Sequence, residues 1–156
     1  MTAIPYFHVG ILVPDLEPAV DRFRDVLGVN FAEPVYQDCE YLEQPGRMEP
    51  LRLHLTYSIQ GPPYYELIEA QGDGLYGLHH GAGLHHVGIW EPNCEDRIQE
   101  LLTKGMVKEA VLYRQDRTII VAFTHPERLH GVRIEIADEG LRKGHEAWLA
   151  GGEFVR

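Results

Sequence analysis

His8-Val9-Gly10-Ile11 and His86-Val87-Gly88-Ile89 are one phrase written twice, once in each half of the chain. Each copy reads as a β-strand. In the first, Phe7, Val9 and Ile11 point one way while Tyr6, His8 and Gly10 point the other. The apolar set predicts contact with a helix, which leaves His8 on the opposite face, beside the space that Gly10 provides. A helical pattern follows each copy. Asp15 is a candidate N-cap, Pro18 suits a first turn, and Val20, Phe23, Val26 and Leu27 recur at helical spacing up to Gly28, a candidate C-cap. In the second half Asn93 is the candidate cap, Ile98, Leu101 and Leu102 mark the apolar face, and Lys104-Gly105 ends it. Each half then closes on a strand carrying a glutamate: Glu66 in Tyr64-Tyr65-Glu66-Leu67-Ile68 and Glu135 in Arg133-Ile134-Glu135-Ile136-Ala137.

The stretches between repeat as well. Asn30–Tyr36 and Leu51–Tyr57 read as strands in the first half, Val107–Leu112 and Thr118–Thr124 in the second. Gln37–Pro50, rich in polar residues, reads as a loop or flap. The order βαβββ therefore occurs twice, an internal duplication. The expected fold class is α+β: two βαβββ modules forming one curved mixed sheet with an open cleft, helices on the other face. A single domain is expected over 1–156, with module one at about 4–71, a glycine-rich linker at about 72–82, module two at about 83–139 and a tail over 140–156. Within the tail, Lys143–Leu149 reads as a short helix with a loose end.

With 156 residues, 44% hydrophobic and 24% charged, the chain suits one soluble domain with its own core. A net charge of −10 excludes the basic stripe that nucleic acid requires and disfavours an anionic membrane surface. No long apolar run predicts a membrane span or signal peptide. Cys39 and Cys94 lack paired spacing, so a disulfide framework is not expected and a reducing, cytoplasmic setting is.

Glu66 and Glu135 each stand between apolar neighbours, where an unpaired buried carboxylate costs several kcal/mol. Any one such glutamate is most often salt-bridged, and any one strand histidine most often a hydrogen-bonded core residue. Two of each at equivalent places in a duplication point to one divalent metal held by His8, Glu66, His86 and Glu135. His and Glu donors suit Zn, Ni, Co, Fe or Mn without choosing among them. His85 is the rival ligand, but strict alternation puts it with the helix-facing set. His54 faces the cleft if Leu51, Leu53 and Leu55 face the helices, and would then contact substrate. Tyr36, Tyr41, Tyr57, Tyr64, Trp90 and Tyr113 suggest an aromatic cleft, better suited to a ring or acyl chain than to a small dianion.

On these segments the chain resembles the vicinal oxygen chelate superfamily, which includes glyoxalase I, methylmalonyl-CoA epimerase, extradiol dioxygenases and bleomycin-resistance proteins. The segments are His8-Val-Gly-Ile-Leu-Val-Pro-Asp-Leu-Glu, Tyr65-Glu66-Leu-Ile-Glu, Gly83-Leu-His-His-Val-Gly-Ile, and Phe123-Thr-His-Pro with Gly131-Val-Arg-Ile-Glu135-Ile. They run from about residue 5 to 139, and the epimerase and glyoxalase branch is the nearest in look. The resemblance implies the same four ligands and an isomerase, epimerase or lyase that transfers a proton next to a metal-bound carbonyl, through an enolate, on a small or acyl-type substrate. It implies Glu135 as one base, with Glu43 or Glu49 as the second acid/base. Tyr64, Trp90, His54 and Arg114 become candidate substrate contacts. It also implies a homodimer. The chain departs from the epimerase pattern at Tyr113-Arg114-Gln115-Asp116-Arg117, where small residues are expected, and in the longer Gln37–Pro50 stretch. Two alternatives stand beside the isomerase: a metal-free binding or resistance protein for an aromatic small molecule, and an extradiol-type dioxygenase.

Overall fold

The computed structural model describes residues 5–154; residues 1–4 and 155–156, assigned above to the domain's first residues and the tail's end, lie outside the described residues. The first module runs β1 (His8–Val13), α1 (Leu16–Leu27), β2 (Val35–Gln44), β3 (Arg47–Tyr57) and β4 (Tyr64–Glu69). The second repeats it as β5 (Gly83–Glu91), α2 (Cys94–Thr103), β6 (Lys108–Tyr113), β7 (Ile119–Thr124) and β8 (Ile134–Asp138), and α3 (Arg142–Leu149) follows. The strands pair in the order β1-β4-β3-β2-β6-β7-β8-β5, and β5 returns to β1. The sheet is thus curved and mixed as expected, and it curls until β2 and β6 meet at Tyr41–Tyr113, Leu42–Leu112 and Glu43–Val111.

The helices form where the caps stand. Gly28 closes α1 in the left-handed conformation (φ 66°), its N–H donating to the Arg24 carbonyl. Asn93 caps α2 by accepting from the Asp96 N–H. Asp15 occupies the N-cap position of α1 without a side-chain cap bond; Glu69 of β4 accepts from the Leu16 N–H instead. Ile11, Val13 and Leu67 meet Leu16, Val20 and Phe23 of α1, and Ile89, Ile134 and Ile136 meet Ile98 of α2.

A third apolar cluster lies inside the curl, where Leu53, Leu55, Tyr57, Ile68, Leu112 and Phe123 meet Trp148 of α3. That interior core corrects two expectations, the loop at Gln37–Pro50 and the loose end of the tail. Gln37–Pro50 is a hairpin, β2 and β3 joined at Pro45-Gly46, with Gly46 at φ 80°. Its polar residues alternate with buried Cys39 and Leu42. Between the modules, Leu75 and Tyr76 bury in the same cluster. The tail is no loose end: Trp148 is buried, with Phe154 edge-on at 5.0 Å. Both cysteines are buried free thiols. Burial pushes Cys94 up to about 12, so it stays protonated and inert.

Candidate metal centre and substrate cavity

The two copies of the phrase interlock. β1 and β5 run antiparallel with His8 opposite Gly88 and Gly10 opposite His86. The parallel neighbours are in register, β4 placing Glu66 beside Gly10 and β8 placing Glu135 beside Gly88. Residues level across a sheet point to the same face. Glu66, Gly10 and His86 therefore form one inward-facing row, and Glu135, Gly88 and His8 the next. Each imidazole lies over the other module's glycine. A Cβ on Gly10 would collide with the His86 ring, and one on Gly88 with the His8 ring.

The four side chains converge inside the curl, with His8 fully buried and Glu66, His86 and Glu135 between 3% and 6% exposed. The Nε2 atoms of His8 and His86 are 2.7 Å apart. Glu66 Oε2 lies 3.2 Å from His8 Nε2 and 3.1 Å from His86 Nε2, without hydrogen-bond geometry to either. Glu135 Oε2 lies 3.1 Å from His86 Nε2. One donor atom from each residue falls within 4.8 Å of the other three. Two nitrogen lone pairs and two carboxylates facing one point need positive charge there. In the protein alone that charge is a proton. Burial opposes it, but Glu135 and Glu66 outweigh burial and push His86 up to about 9. Burial likewise pushes the Glu66 carboxyl up, and His8 and His86 more than offset this, holding it below the usual carboxylate range. A divalent cation answers the same need, and the orphaned, buried Glu66 oxygen fits it.

His85 is also buried, contrary to the alternation expected of it. The β1–β5 register passes from Gly10–His86 to Ile11–Leu84 and skips His85. His85 is thus the extra residue of a β-bulge, and both histidines turn inward. Burial, then His86 and Arg133, push His85 down to about 3, so it is neutral.

Glu66 and Glu135 of the quartet line a cavity of about 340 Å³, whose wall joins aromatic and aliphatic side chains such as Phe7, Leu55, Trp90 and Trp148 to polar ones such as Gln37, Glu40 and Gln115. Trp90 stacks on Phe7 at 3.8 Å. Arg114 reaches the wall, where it donates to Asp138 Oδ2 at 2.7 Å. Tyr64 stands behind the wall, its ring 5.7 Å from that of His145. His54 faces outward: it stacks on Tyr36 and lies 3.4 Å from Glu69. Leu53 and Leu55 occupy the inner face of β3, because the apolar cavity is inside and α1 packs on β4. Glu43 accepts from Lys108 Nζ at 2.8 Å and the Tyr113 hydroxyl at 3.0 Å, away from the cavity wall. Glu49 lies beside Arg47 at 3.2 Å, also off the wall.

Several wall residues are not among the sequence candidates, Glu40, Gln115 and Trp148 among them, and one has open hydrogen-bonding capacity: His145 of α3 lines the cavity, and neither ring nitrogen has a hydrogen-bond partner. The signal was the helical spacing of Leu141, His145 and Trp148, which share one face.

The model of the glyoxalase/bleomycin resistance protein/dioxygenase superfamily matches residues 7–123. The chain belongs to that superfamily. Among curated relatives, it is 29% identical to the mitochondrial methylmalonyl-CoA epimerase of Mus musculus over 140 aligned residues, 83% of this chain and 70% of that one. The Bos taurus enzyme of the same name is 28% identical, with 83% and 71% covered. The fold matches the Streptomyces coelicolor methylmalonyl-CoA epimerase in complex with 2-nitronate-propionyl-CoA, with a TM-score of 0.60, 21% identity, and 87% and 95% of the two chains covered. It also matches the Mycobacterium tuberculosis methylmalonyl-CoA epimerase, with a TM-score of 0.57, 18% identity, and 88% and 92% covered. Among the described residues, no helix of this superfamily member is long and apolar enough to cross a membrane.

Proposed function

We propose that the chain is a divalent-metal-dependent epimerase that moves a proton on the carbon next to the carbonyl of an acyl substrate. The observation that carries this reading is the buried His8, Glu66, His86 and Glu135 quartet at the edge of an apolar cavity. A purely sequestering protein has no use for four ionisable groups gathered there, whose burial is costly. The relatives named methylmalonyl-CoA epimerase support the same direction.

The four residues would hold the ion, which would supply the Lewis acidity that makes a carbon next to a carbonyl acidic. The chain's own groups do the rest. The aromatic part of the wall favours an acyl chain over a small dianion. Glu66 and Glu135 both reach the wall, and Glu135 is the carboxylate we assign to accept the proton. His145 offers the substrate a hydrogen-bonding group from the α3 side. Arg114, already neutralised by Asp138, adds little net charge.

The test is solvent deuterium incorporation at C2 across a panel of acyl-CoA thioesters that includes methylmalonyl-CoA. Incorporation is expected with added divalent metal, is lost on chelation, and is lost in His86→Ala and Glu135→Ala. Absence of metal-dependent exchange across the panel rejects the reading.

A further inference from the structure

The bulge in β5 joins the quartet to the segment between the modules. His86 Nδ1 lies 2.8 Å from His85 Nδ1, and His85 Nε2 lies 2.8 Å from the Leu75 carbonyl oxygen. The two ends of this chain fix the protons in it. A carbonyl oxygen only accepts, so His85 Nε2 must carry a hydrogen. An ion held on His86 Nε2 would leave that imidazole its one hydrogen on Nδ1, which donates to His85 Nδ1 as the acceptor. His85 is itself held: Arg133 Nη1 donates to its carbonyl at 3.0 Å, and Tyr76 stacks on its ring at 5.3 Å. His8 has no equivalent, since its Nδ1 is buried without a partner.

We propose that His85 is a positioning residue for the metal centre: through its hydrogen bond to the Leu75 carbonyl it fixes the His86 tautomer that presents Nε2 to the ion. The inference rests on the four-residue metal reading above. It makes the segment around Leu75 and Tyr76 part of the site. A metal-bound histidine commonly needs such a partner on its other nitrogen, and loss of one typically weakens binding about 10–100-fold.

The test is titration with Co²⁺ of the full chain and its variants. His85→Phe, which fills the volume without an acceptor, is expected to bind Co²⁺ about 10–100-fold more weakly. His85→Gln, whose amide offers both an acceptor and a donor, is expected to recover most of that loss. The tautomers are read independently by imidazole ¹⁵N NMR of the Zn²⁺-loaded wild type. His85 should show a bare Nδ1 and a protonated Nε2, and His86 a protonated Nδ1 shifted downfield by its bond to His85. Wild-type affinity in His85→Phe, or a protonated Nδ1 on His85, overturns the proposal. If the wild type binds neither ion, the metal reading fails, and the same ¹⁵N pattern in the ion-free protein decides the relay alone.

Discussion

A single added methyl group tests the centre most directly. Gly10 and Gly88 are the seats on which the His86 and His8 rings rest, and the collision a Cβ would cause is with ring atoms anchored by their own strand. Gly10→Ala must therefore displace His86, and Gly88→Ala must displace His8. The register makes the two sites equivalent, so similar losses are expected: at least about tenfold in Co²⁺ affinity, with about 1–3 kcal/mol of stability lost to overpacking. Calorimetric titration and urea unfolding measure the two effects. Metal binding unchanged in both alanine variants would show that the rings are not held where the geometry puts them. At this scale the sequence was most informative. His-x-Gly on one strand places both residues on one face, and the repeated phrase alone paired them. The bulge at His85 was not legible, because one extra residue leaves no mark on a pattern of period two.

Among the elements, α1, α2, α3 and the strands outside the hairpin follow from alternation and caps, whereas β2, expected at Asn30–Tyr36 and found at Val35–Gln44, and the first half of β3 were not legible, nor was the surface that α3 covers. The hairpin's outward face is polar, and its buried positions are few, so its composition resembles a loop. The inward face of α3 is short, His145, Trp148 and Leu149 with Leu141 just before it, too short to fix a partner without the cavity it covers. The same element carries a pH-dependent cost. Burial, then the neighbouring His8, push His145 down from 6.5 to about 4. The folded state thus resists a proton that the unfolded chain accepts, so this histidine removes stability as pH falls from 6.5 through 4. His145→Phe should lose less stability than wild type between pH 7 and pH 5 in urea unfolding. It should keep its Co²⁺ affinity, because His145 is no ligand, and show KM for the exchanging thioester raised about tenfold, the worth of one hydrogen bond. A variant with wild-type KM and an unchanged acid limb would remove α3 from the cavity's chemistry.

For the whole molecule, the quartet ties folding, protons and metal together. Without an ion, His86 holds its proton up to about 9 against an ordinary 6.5. The folded state binds that proton more tightly than the unfolded chain does. The resulting stability is fully present below pH 6.5 and fades as pH rises through 9. Glu66, held low by the two imidazoles, contributes stability that is present above its ordinary 4.5 and is lost as pH falls below it. An ion reverses the upper limb. It displaces the His86 proton, so its affinity rises with pH until that proton no longer competes. A ligand at 100 times its Kd adds about 2.7 kcal/mol to folding. Thermal unfolding in chelator should therefore show a melting temperature that declines from pH 6.5 to 9. With saturating Zn²⁺ the gap between loaded and ion-free protein should widen over the same interval. A gap that stays constant would mean that ion and proton do not contend for the same nitrogens, and the duplicated strands would then have converged on something other than a metal centre.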